Sequence, residues 1–98
     1  MEMKFTSLVE KHWKLIEFSW GHNLEYSIKH IPPGLLEIEI QGKRLSAKII
    51  ARDFNNYLNI IVNRFKDQKT ITEGRCSDAL ELDKILRSLL IDITSEPF

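Results

Sequence analysis

Apolar residues keep one period at the two ends of this 98-residue chain and another in its middle. Val9, Trp13, Ile16 and Trp20 recur at i, i+4, i+7 and i+11. Leu8 and Leu15 widen the stripe, and Lys11, Lys14 and Glu17 occupy the rest of the cylinder. That spacing predicts an amphipathic helix with one buried face. Ser7 and Glu10 have the spacing of a capping box, so the helix is expected to open at Ser7, and Gly21 is expected to stop it. Toward the other end Leu82, Ile85, Leu86, Leu89 and Leu90 repeat at i, i+3, i+4, i+7 and i+8 behind Asp78-Ala79-Leu80-Glu81. This is a second capped helix that belongs to the core.

Between the helices the period drops to two. Leu24, Tyr26 and Ile28 alternate with Glu25, Ser27 and Lys29; Pro32-Pro33-Gly34 then breaks the run, since proline cannot donate to a ladder. Leu36, Ile38 and Ile40 alternate with Glu37 and Glu39, and Gln41-Gly42 turns into Leu45, Ala47, Ile49 and Ala51. These three segments read as an antiparallel meander with one wet face. Asp53 to Asn56 reads as a loop or short helical turn. Tyr57 to Phe65 is predicted as a fourth strand, with Ile61 and Phe65 facing away from Leu58, Ile60 and Val62. Thr70-Ile71-Thr72 is predicted as a short fifth strand. The chain is therefore expected to be a single α+β domain over residues 1–98. An N-terminal helix, about five mainly antiparallel strands and a C-terminal helix packed on the sheet make it up.

Composition narrows the class without naming a reaction. The hydrophobic share of 43% is that of an ordinary globular domain, and one cysteine excludes an internal disulfide. No apolar run approaches the ~18 residues that span a bilayer, and the N-terminus lacks a signal peptide's apolar stretch. A cytoplasmic protein with no membrane partner is expected. Net charge is zero but unevenly spread: residues 1–42 carry −2, residues 43–75 carry +5 and residues 76–98 carry −3. A neutral whole disfavours general nucleic-acid binding, which rests on neutralising many phosphates.

No catalytic constellation stands out. His12, His22 and His30 lie ten and eight residues apart, without the close ligand pair of a small zinc site, so neither metal nor cofactor is expected. Cys76 precedes a helix N-terminus, where thiolates are favoured. Nucleophilic catalysis also needs a positioned base, and none is near in sequence, so a buried packing role is the better reading. Glu25, Glu37 and Glu39 fall on the polar side of their strands and read as solvated charge. Trp13 reads as core, and Trp20 as core or as an anchor for a partner.

Two segments resemble the immunity protein 53 family. The first is Glu25-Tyr26-Ser27-Ile28-Lys29 followed by Pro33-Gly34-Leu35 and the alternation Leu36-Glu37-Ile38-Glu39-Ile40. The second is Glu73-Gly74-Arg75-Cys76-Ser77 followed by Leu82-Asp83-Lys84-Ile85-Leu86-Arg87-Ser88-Leu89-Leu90. The chain departs from the family pattern at Leu35, where a tryptophan is usual. The resemblance implies a cytoplasmic, non-catalytic immunity protein that binds a cognate bacterial toxin domain and blocks its active site or substrate access. The alternative is a small adaptor or subunit of another bacterial complex, with a nucleic-acid-associated domain further behind. Candidate partner-binding residues are Trp20, His22, Glu25, Glu37 and Glu39 on an acidic side, or Arg44, Lys48 and Arg52 on a basic side.

Overall fold

A computed structural model describes residues 4–20, 24–42, 45–63 and 67–94, with backbone alone at Trp20. The order is α1 (Phe5–Trp20), β1 (Glu25–Ile31), β2 (Leu35–Gln41), β3 (Ser46–Arg52), a 3-10 turn (Phe54–Asn56), β4 (Tyr57–Asn63), β5 (Gln68–Arg75) and α2 (Ala79–Thr94). The strands form one antiparallel sheet in the order β1-β2-β3-β4-β5. Short connections between alternating segments leave a meander as the natural topology. The α+β architecture expected from the sequence is the one observed.

The even-numbered residues of β1, β2 and β4 and the odd-numbered ones of β3 make the core face. Ile28, Ile38, Ile49 and Ile60 line up as direct cross-strand partners, forming one apolar row across four strands. Both helices cover this face: Val9, Trp13 and Ile16 of α1 and Leu82, Leu86, Leu89, Leu90 and Ile93 of α2 join the same cluster. Ala47 and Ala51 present small side chains on β3, the strand that α1 approaches most closely. The Trp13 ring is fully buried and meets Tyr26 edge to face, 5.5 Å between centroids. Asp53 sits at the start of α1, and Cys76 N–H donates to Asn56 O at that same end of the sheet, where α2 begins. Ile93, in the last turn of α2, lies against Gly42 at the opposite end, so the two helices run parallel.

Three local expectations are corrected. Helix α1 opens at Phe5, before Ser7, and Leu8 N–H donates to Lys4 O at 3.0 Å. Lysine offers no acceptor for the first turn, and Asp53 Oδ1, 47 residues away, accepts from Thr6 N–H at 2.9 Å. Glu10 makes no capping box; its carboxylate holds Lys14 Nζ at 3.1 Å and His30 Nε2 at 3.0 Å. Strand β5 is eight residues long and extends well past Thr70–Thr72. A bulge at Ile71 and a positive φ of 134° at Gly74 hide its alternation. Strand β4 is described over Tyr57–Asn63, and Phe65 lies outside the described residues, as does Gly21. At α2 the expectation is met: Asp78 Oδ1 accepts from Glu81 N–H at 2.8 Å, and Glu81 accepts from Ser77 N–H and Oγ–H.

Candidate functional site

Both helices lie on one side, so the other face of the sheet is uncovered by any described residue. It is built from the odd-numbered residues of β1, β2 and β4 and the even-numbered ones of β3. Antiparallel register decides what meets there. Glu39 lies opposite Lys48, Glu37 opposite Ile50, Leu35 opposite Arg52, and Arg52 opposite Tyr57. Lys48 Nζ stands 3.5 Å from Glu37 Oε1 and 3.8 Å from Glu39 Oε1, a cation shared between two carboxylates. The Arg52 guanidinium stacks over the Tyr57 ring at 4.8 Å, fixing an aromatic and a cation side by side.

The expected separation into an acidic and a basic side does not hold. Glu25, Glu37, Glu39, Lys48 and Arg52 share this one face, because acidic β2 is inserted between β1 and basic β3. Trp20 ends α1, and its side chain is outside the described part; His22 and Arg44 also lie outside the described residues.

Sequence reading placed Ile61 on this face and missed Leu35 and Ile50, the rest of its apolar part. Leu35, Ile50 and Ile61 lie on a diagonal across β2, β3 and β4 and are half-buried on the open side. Their signal was available in the doubled pairs Leu35-Leu36, Ile49-Ile50 and Ile60-Ile61, where alternation fails because both faces carry an apolar residue. Next to Ile50, Asn59 keeps a buried Oδ1 with no hydrogen-bond partner among the described residues. Toward the β2–β3 turn the face dips into a shallow polar hollow of about 440 Å³, lined by Glu25, Ser27, Glu39, Gln41, Lys48 and Asn63 among others.

Cys76 is elsewhere, 2% exposed beneath the start of α2, with its Sγ 3.6 Å from Asp78 O. Burial pushes its thiol up, and the Glu81 and Asp78 carboxylates push it the same way. The helix N-terminus therefore does not yield an activated thiolate here. Among the described residues no group of three His, Cys, Asp or Glu side chains is arranged to hold a metal ion. No described helix is long and apolar enough to cross a membrane.

Comparison with protein-family models, with curated proteins and with solved structures finds no match for this chain.

Proposed function

We propose that this chain is a non-catalytic protein-binding domain whose open sheet face docks a protein partner, and that it serves as an immunity protein against a bacterial toxin domain. The observation that carries the docking face is the diagonal Leu35-Ile50-Ile61 framed by Lys48 with its two carboxylates and by Arg52 on Tyr57. Protein interfaces combine an apolar centre with a polar rim, and arginine and tyrosine are favoured anchors there. A rigid five-stranded scaffold holds these groups before the partner arrives, which lowers the ordering cost of association. Fixed charges of both signs supply partner choice. The toxin as partner is supported by the family resemblance in the β1–β2 and β5–α2 segments.

The test is affinity capture with the tagged chain from its native host, read by mass spectrometry, together with co-expression of the captured domain. Stoichiometric recovery of one toxin-like domain, with growth rescued by the chain, is the expected result. Ile50→Glu and Arg52→Glu each weaken that complex by about thirtyfold or more if the face is the docking site. Recovery of nucleic acid, of a housekeeping complex or of no protein overturns the immunity reading. Full-strength binding by both variants overturns the face.

A further inference from the structure

The two edges of the sheet are unlike. Strand β5 carries the bulge at Ile71, the mirror-region φ of 134° at Gly74 and a tie from Lys69 Nζ to Asp92 of α2 at 3.2 Å. Bulges and edge charges are the usual guards against edge-to-edge pairing. Strand β1 also carries edge charges and a tie from His30 to Glu10 of α1, but it has no bulge and no residue of positive φ. It is seven residues in unbroken register with β2 on one side, and no described residue pairs with its other side. Its backbone N–H and C=O groups on that side are a template for another strand.

We infer that β1 is a homodimer edge, pairing antiparallel with β1 of a second copy about a two-fold axis at Ser27. Charge selects this register. Centred on Ser27, Glu25 of each copy faces Lys29 of the other, and Tyr26 faces Ile28, an aromatic against a branched aliphatic. Centring on Ile28 would set Glu25 against Ile31 and Lys29 against Ser27, with no charge paired. Glu25 and Lys29 have no ion-pair partner among the described residues, so both are free to make these contacts. Lys29 lies opposite Glu37 within its own sheet, so the row across the joint reads Glu37, Lys29, Glu25 of the second copy, alternating in sign. Ser27 is small and adds no clash on the axis. Tyr26 is 36% exposed and Ile28 half-buried, leaving apolar surface at the edge for the second copy to cover. The product is one ten-stranded sheet whose two open faces are continuous.

A contact of one strand each is small, so association is weak and concentration-dependent. Sedimentation of the intact chain from about 10 μM to about 1 mM is expected to show monomer giving way to dimer. Glu25→Lys and Lys29→Glu, both at exposed positions, each set like charges against each other twice per dimer and weaken it about tenfold or more. Mixed together, these two variants restore both opposite-charge pairs, so the equimolar mixture is expected to dimerise as well as the wild type. A chain that stays monomeric throughout overturns the proposal. So does a dimer indifferent to both reversals, or a mixture no better than either variant alone. The docking reading is unaffected by such a failure, because it rests on β2, β3 and β4.

Discussion

Replacing Asp53 by alanine tests whether the start of α1 is held from the sheet or by its own sequence. Asp53 Oδ1 accepts from Thr6 N–H at 2.9 Å, and Thr6 is buried, so the donor has no ready water to turn to. Loss of a helix-capping side chain costs about 0.5–2 kcal/mol. A buried N–H left without a partner costs roughly 1–3 kcal/mol. These describe the same bond and are not additive, so about 2 kcal/mol is expected for Asp53→Ala. In a domain of this length each kcal/mol shifts Tm by about 4–8 °C, which puts the loss at about 8–16 °C. Asp53→Asn keeps an acceptor oxygen and removes only the charge facing the helix dipole, worth about 0.3–1 kcal/mol.

The backbone contacts of the loop do not depend on that side chain. Asp53 N–H donates to Gly34 O at 2.9 Å, and Asn56 N–H donates to Asp53 O at 3.3 Å. Alanine keeps both, so the measured loss isolates the cap. Ser7→Ala is the matched control. Ser7 is exposed inside the helix, so its removal is expected to change stability by less than about 0.5 kcal/mol. Urea unfolding of the three variants and wild type gives the comparison directly. A Ser7→Ala loss larger than that of Asp53→Ala overturns Asp53 as the cap of α1, as does an Asp53→Ala variant within about 0.5 kcal/mol of wild type.

Gly34 adopts φ +70°, and a Cβ there would fall 2.9 Å from Asp53 Oδ2. Gly34→Ala is expected to cost more than the ~1–2 kcal/mol of a left-handed alanine, and less than additively with Asp53→Ala in a double-mutant cycle of unfolding free energies. Leu86→Ala, at a fully buried site of α2, is expected to cost about 2–5 kcal/mol in urea unfolding. Leu80→Ala, 66% exposed on the same helix, is expected to stay within about 0.5 kcal/mol of wild type. The Cys76 thiol is held above its ordinary value of 9.0, so the folded chain keeps a proton the unfolded chain gives up. Stability is then intact below that pH and falls as pH rises through it, a decline that Cys76→Ala removes in alkaline urea titrations. Partner capture on the open face is expected to persist when salt is raised several-fold, as the balance of charge on that face requires; a steep salt loss in titration calorimetry refutes it.

The fold was legible because core-facing residues obey a local period. Trp13, the Ile28-Ile38-Ile49-Ile60 row and the α2 leucines each announce their face within a few residues of sequence. The cap of α1 was not legible, because its acceptor is 47 residues from its donor and Ser7 offered a plausible local substitute. Strand β5 was only half legible, since a bulge shifts the period by one residue and turns alternation into noise.

Charge was misread for a related reason. Along the chain, acid and base fall into blocks, and blocks suggest separate surfaces. Antiparallel pairing interleaves them: the carboxylates of β2 are flanked by Lys29 of β1 and by Lys48 of β3. On the four strands β1–β4 the open face holds Glu25, Glu37 and Glu39 against Lys29, Lys48 and Arg52, so the field it projects beyond a Debye length nearly cancels. A surface of this kind cannot draw a partner from a distance by net charge, as a nucleic-acid binder must. What it can do is accept or reject at contact, where each fixed pair demands a matching pair and Leu35, Ile50 and Ile61 supply the burial. That combination favours a partner matched group by group over one attracted by charge alone, and it is why the pattern of the face, more than its composition, carries the functional reading.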